Sequence, residues 1–210
     1  MKKIIAADLL IIFLSFLIGI YFYHKMPVTV ASHWNSQGQV DGYISKFWGL
    51  FLMPLISSGL LLILLFAPKL DPLKLNIKKF RKYYDFFILL LLLFLFYLYL
   101  LTIFWNLGFK FNMNLVLPPA FGLLISYIGV LTEKAKRNWF IGIRTPWTLS
   151  SDEVWKKTHK LGGKMFKTAG LLAIFGIFVG DYAIYFCLFP VIFVAVYTIV
   201  YSYFEYQKLS

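Results

Sequence analysis

Few side chains in this chain of 210 residues could do chemistry, and they gather in two polar passages. The first holds His33, Trp34, Asn35, Asp41 and Lys46, punctuated by Gly38 and Gly42. A metal site needs three or four converging His, Cys, Asp or Glu ligands. His33 and Asp41 fall short of that set even with His24, so neither a metal nor a cofactor is assigned. Aromatic, amide and charged groups of this kind suit contact, either with the rest of the protein or with a peptide partner.

The second passage, Asn138 to Phe166, is the longest polar stretch of the sequence. Its Arg144 carries a planar guanidinium able to clamp a carboxylate or lipid phosphate with two parallel hydrogen bonds. Around it, Gly142 permits a bend closed to other residues, and Pro146 pushes Thr145 towards an extended shape, with Trp147 beside them. The expectation is a bidentate, partly desolvated Arg144 contact that fixes the loop. Asn138 opens the same passage. His159 reads as an interfacial residue rather than a catalyst. No Ser-His-Asp or Cys-His grouping falls on one side of a membrane, no glycine-rich phosphate loop follows a strand, and no carboxylate pair lies at mid-depth of a span. An enzyme and a proton-coupled transporter are both disfavoured.

The elements that position these residues follow from composition. A chain that is 60% hydrophobic, 14% charged and of mean hydropathy +0.76 is no soluble domain, since soluble domains hold about 25% charged residues. The reading is an all-α polytopic membrane bundle of about six transmembrane helices, forming one domain over 1–210. Residues 1–67 supply two spans around an extracytoplasmic loop, 24–47. Residues 68–133 supply a basic cytoplasmic loop and spans three and four, and 134–210 supply the second polar passage and spans five and six.

Span one is expected from Ile4 to Tyr23, uncleaved, with Asp8 one turn from its start and close enough to water to snorkel. Span two runs from Trp48 to Ala67, kinked by Pro54, given close contacts by Ser57, Ser58 and Gly59, and closed by Pro68. Span three is Phe86 to Trp105. Span four is Leu115 to Leu131, with Pro118 and Pro119 in its first turn. Lys164 to Tyr203 is too long for one helix, so two spans turn at Gly180-Asp181, the second kinked by Pro190. Val28, Thr29 and Val30, followed by a turn at Ser36 to Gly38, suggest a small strand-turn element in the outer loop, with Trp34 as a headgroup anchor. In the inner passage, Ser150 and Glu153 are spaced as a capping box, which starts a basic amphipathic helix near Ser151. Trp155 and Thr158 share its apolar face, and Gly162-Gly163 end it, so it should lie along the membrane surface.

The net charge of +12 sits between apolar runs. There it sets orientation against a membrane rather than binding nucleic acid. With the N-terminus inside, 18 of the 21 Lys and Arg residues face the cytoplasm. Outside are only Lys25, Lys46 and Lys110, so both termini are expected in the cytoplasm of a cell-membrane protein. The lone cysteine, Cys187, lies in an apolar run and is read as packing.

Two passages carry a resemblance. The run G-I-R-T-P-W-T-L-S, with Trp155 five residues after its Ser150, then Thr158-His159 and Gly162-Gly163, is similar to the signature of the SdpI family of multi-spanning immunity proteins. Residues 27–46, with H-W-N, a nearby Gly, an Asp and S-K, resemble the extracytoplasmic loop many such proteins carry after their first helix. The resemblance implies protection from a secreted, membrane-active toxin peptide, and a cytoplasmic repressor held at the membrane. A small transporter or lipid-interacting protein of the same fold is the alternative.

Overall fold

A computed structural model describes residues 2–209. Lipid offers backbone groups no hydrogen-bonding partner, so a chain this apolar must satisfy them internally as helices. Helix α1 (Lys2–Phe22) leads to a two-stranded antiparallel hairpin, β1 (Thr29–Trp34) and β2 (Val40–Ser45). Helices α2 (Lys46–Leu70), α3 (Lys74–Asn106) and α4 (Met113–Lys134) follow. A loop containing the short α5 (Pro146–Ser150) leads to α6 (Asp152–Phe175) and α7 (Ala183–Gln207).

Among the described residues, five helical runs are long and apolar enough to cross a membrane, the last being Asp152–Gln207. That run folds back on itself. A 3-10 turn over Gly176–Tyr182, with Gly180 at φ 57°, separates α6 from α7, and the two helices pack together. The bundle therefore has six long helices, with the turn at the expected Gly180-Asp181. Large apolar side chains such as Phe13, Ile63, Phe189 and Phe193 are exposed around it, as a lipid-facing belt requires.

The helices alternate in direction, which sorts the loops onto two ends. The hairpin, residues 107–112 and the Gly176–Tyr182 turn share one end. Lys2, Leu209, residues 71–73 and the loop 135–151 share the other. At the hairpin end, Met26, Val30, Leu50, Tyr99 and Ile103 form one core; at the loop end, Phe80, Tyr84, Ile88, Leu131, Ile141 and Trp155 belong to another.

Helices α4 and α6 form the closest seam. A Cβ on Gly170 would meet Ser126 Oγ at 2.1 Å and the Gly122 carbonyl at 2.4 Å, and one on Gly163 would meet the Gly129 carbonyl at 2.7 Å. Small residues at this repeat bring two backbones together where lipid gives no hydrophobic drive.

Several expectations are corrected. The surface helix ending at Gly162-Gly163 does not exist as a separate element, because α6 runs through both glycines. They serve approach rather than termination. Ser150 is no cap either: it lies in α5, donating to the Pro146 carbonyl at 2.6 Å, and Ser151 caps α6 by accepting from the Val154 amide at 3.3 Å. Most of the basic loop 69–84 is helical, since α3 starts at Lys74 and bends at Phe80 (φ −124°). Lys46 is the first residue of α2 rather than a loop residue, and α2 continues through Pro68 to Leu70. Pro118 and Pro119 fall in the second turn of α4. Gly59 faces open space, leaving Ser57 as the buried small residue of α2. Asp8 is 1% exposed, turned into the bundle instead of out to water.

Candidate functional site

The hairpin is built by its turn and clamped by two helices. Asn35 Oδ1 accepts from the Gln37 and Gln39 amides, both at 3.0 Å, and so closes the turn. Asn106, at the end of α3, pairs with the Ala31 backbone in both directions, accepting at 2.8 Å and donating at 3.0 Å. Asn114, at the start of α4, donates to the Ser36 carbonyl at 2.9 Å. Trp34 lies edge-on to Trp105 with ring centroids 5.7 Å apart, packed on α3. Lys46 sets its ammonium 4.7 Å from the Tyr23 ring centre. What remains free is a face carrying His33 and Asp41, an exposed pair 2.5 Å apart, with Tyr43 63% exposed. The first passage thus divides. Trp34, Asn35 and Lys46 hold the hairpin, whereas His33 and Asp41 display from it.

The loop at the other end is knotted by Asn138, which is fully buried. Its amide nitrogen donates to the Lys136 and Ile141 carbonyls at 2.7 and 2.9 Å, and its oxygen accepts from the Phe140 and Ile141 amides at 2.9 and 2.6 Å. Outside this knot, Asp71 accepts from the Trp139 amide at 2.8 Å, and Asn76 donates to the Arg137 carbonyl at 2.9 Å. The loop is therefore moored to the start of α3.

Past the knot, Gly142 has φ 113°, and a Cβ there would stand 2.4 Å from His159 Nε2. That absence lets His159 reach the backbone. Its Nε2 accepts from the Ile143 amide at 3.0 Å, and its Nδ1 lies 2.8 Å from the Trp155 carbonyl, which fixes a neutral ring protonated at Nδ1. The ring stacks on Trp155 at 3.8 Å, and the indole donates to the Ala135 carbonyl at 2.9 Å. His159 is thus an interior brace, 1% exposed, and not an interfacial residue.

Thr145 and Thr148 form the capping box that the sequence placed at Ser150 and Glu153. Each side chain serves the other's amide, at 3.1 and 2.9 Å. Pro146 follows as the first helical residue, where its missing amide costs little. Thr145 also lies 3.0 Å from the Ser202 hydroxyl of α7, while Trp147 packs on Tyr203, centroids 5.2 Å apart. Gly162 leaves room for Ile143, whose Cδ1 would be 2.5 Å from a Cβ there.

Arg144 differs from expectation. It is exposed, and its one hydrogen bond among the described residues goes to the Trp139 carbonyl at 2.7 Å. Among the described residues it makes no bidentate contact with a carboxylate: Asp152 pairs with Arg137 at 2.9 Å, and Glu153 and Glu205 pair with Lys157 at 2.9 and 3.1 Å. The sequence reading missed Asn76, Asp71, Arg137, Thr148, Ser202 and Glu205. Two carried a signal, Asp71 as the one carboxylate among the lysines of 69–84 and Glu205 as the one charge in α7.

A six-helix bundle with a clamped polar hairpin at one end and a knotted polar loop at the other defines a small multi-pass membrane protein with two ordered faces. The chain belongs to the SdpI/YfhL protein family, whose family model matches residues 134–202, the knotted loop and most of the α6–α7 pair. A second model, a domain of unknown function (DUF1648), matches residues 10–57, which include the hairpin. Over its whole length the chain is 30% identical to the immunity protein SdpI of Bacillus subtilis (strain 168), covering 100% of this chain and 99% of that protein. No solved structure matches.

Proposed function

We propose that this chain is an immunity protein of the cell membrane, with both termini in the cytoplasm, that meets a secreted toxin peptide on the hairpin and holds a cytoplasmic repressor at the knotted loop. The observation that carries the reading is the full-length likeness to an immunity protein, which takes in both ordered faces. Orientation is supported by charge: the hairpin end carries Lys25, Lys46 and Lys110, and the remaining 18 of 21 basic residues belong to the loop end. Retained basic segments face the cytoplasm.

Helix α3 supports communication between the faces. Asn106 at one end grips the hairpin and Asn76 at the other grips the loop, ~45 Å apart at 1.5 Å per residue. A tilt of α3 imposed at the hairpin would pass through the bend at Phe80 before it reaches Asn76 and the Arg137 carbonyl. Recognition falls to the exposed His33, Asp41 and Tyr43, whereas Trp34 and Asn35 support them from behind.

The test pairs variants by role. His33→Ala with Tyr43→Ala should leave membrane abundance unchanged while lowering survival of cells challenged with a sporulation-delaying toxin peptide. Unchanged survival with both faces intact, together with solute flux in reconstituted vesicles, would give the protein to transport instead.

A further inference from the structure

Beside the knotted loop, where α3, α4 and α6 meet, lies a cleft of about 720 Å³. Its walls carry Lys79, Lys134, Lys136, Lys156, Lys160 and Lys164, together with Arg137 and Lys167. Only the last two are neutralised there, by Asp152 at 2.9 Å and Glu133 at 2.7 Å. Among the described residues the six lysines form no ion pair, so one cleft concentrates six uncompensated positive charges drawn from α3, α4, the loop and α6. Such a field selects an anion.

A second feature narrows the anion. Lys164 also lines an apolar groove of about 460 Å³ between α6 and α7, walled by Met165, Leu172, Phe189 and Phe193. On α6, Lys156, Lys160 and Lys164 descend four residues at a time from the polar end towards that groove, and after Thr168 the helix is apolar to Phe175. The charged and the apolar cavity are thus contiguous at one side chain, at the level where the charged end of the bundle meets its lipid-facing belt. A soluble phosphate uses only the first cavity, and an acidic protein segment has no use for the second. Basic pockets between transmembrane helices suit lipid headgroups.

We propose that the cleft and the groove together bind one anionic phospholipid, its phosphate among the lysines of the cleft and an acyl chain between α6 and α7. This site stands apart from the immunity reading and does not rest on it. A lipid seated there would bridge α6 and α7 and lie against Arg137, which carries the loop's contact with α3.

The test is native mass spectrometry of the full chain, delipidated in neutral detergent and titrated with phosphatidylglycerol, phosphatidylcholine, soluble glycerophosphoglycerol and a polyglutamate peptide. Phosphatidylglycerol should be retained at the lowest concentration. Lys160→Gln with Lys164→Gln should shift its midpoint by ~25-fold, at ~5-fold per lysine facing an anionic lipid. Lys79→Gln with Lys136→Gln, on other segments, should shift it similarly, and Lys25→Gln with Lys110→Gln at the hairpin end should not. If a glutamine pair lowers the unfolding temperature of the lipid-free protein, the matching arginine pair must bind as the wild type does. Equal midpoints for the two phospholipids, or no shift in either cleft pair, would overturn the site. Equal binding of the soluble headgroup would reduce it to a phosphate site, and tighter binding of polyglutamate would give it to an acidic protein; either outcome overturns the lipid assignment.

Discussion

Replacing Asn138 by Ala removes four hydrogen bonds from one buried point. Two of them serve the Ile141 amide and carbonyl, on a residue only 8% exposed, so those groups lose their partners without regaining water. Each costs ~1 to 3 kcal/mol. The other two serve Lys136 and Phe140, which are exposed and recover water, at ~0.5 kcal/mol each. The sum is ~3 to 7 kcal/mol, and at ~2 °C or more per kcal/mol for a chain of this size the unfolding temperature in detergent should fall by at least ~6 °C. Asn138→Asp is the sharper control. It keeps the shape and the accepting oxygen but turns the donor into an acceptor facing two carbonyls, so it should be as damaging as Ala. The assay is thermal unfolding followed by near-ultraviolet circular dichroism, with proteolysis of the loop as the local readout. An Asn138→Ala protein that melts within ~1 °C of wild type would contradict this expectation, and a wild-type-like Asn138→Asp would show that donation to the Lys136 and Ile141 carbonyls does not hold the loop.

Gly170→Leu should part α4 from α6, because its Cβ alone would fall 2.4 Å from the Gly122 carbonyl; a loss of ~2 kcal/mol or more, read as reduced membrane abundance and a lower unfolding temperature, is expected from overpacking. Gly142→Ala should likewise lower stability, since φ 113° and His159 Nε2 both oppose a side chain, and His159→Gln should not rescue it because the backbone strain persists. Arg144→Lys should change stability by less than ~1 kcal/mol, the worth of one exposed hydrogen bond; lost protection at unchanged stability would show that the guanidinium fork binds a partner. Trp34→Ala should reduce abundance by removing the packing against Trp105, whereas Asp41→Asn should not.

The spans were legible because lipid demands about 20 apolar residues per crossing, and the Gly180 turn was legible because nothing else divides Lys164 to Tyr203. Helix ends were not. Lys and Arg are good helix formers, so α3 begins among the lysines of a loop that charge alone marks as a connection. Gly162-Gly163 read as a stop since a glycine pair ends many helices, and their role shows only when Gly129 and Ile143 arrive from distant segments. Ser150 reads as the cap because Glu153 follows it by three, but α5, built by Thr145 and Thr148, takes it up and Ser151 caps α6. At the sites, the sequence located both polar passages but not which residues face outward. Asn106 grips Ala31 from 75 positions away, and Asn114 reaches Ser36 from 78. Without those clamps, Trp34 and Asn35 look as available as His33 and Asp41. Asp8 shows the same limit: its nearness to the helix start permits snorkelling, and only packing turns it inward.

Immunity is tested most directly by survival. Sensitive cells lacking their own immunity protein, expressing this chain or an empty vector, would be challenged with sporulation-delaying toxin peptides across a dilution series. The expected result is growth at toxin concentrations that kill the vector control, with protection lost in His33→Ala/Tyr43→Ala at equal membrane abundance. Death at the same dilution with and without the full-length, membrane-inserted chain would contradict it.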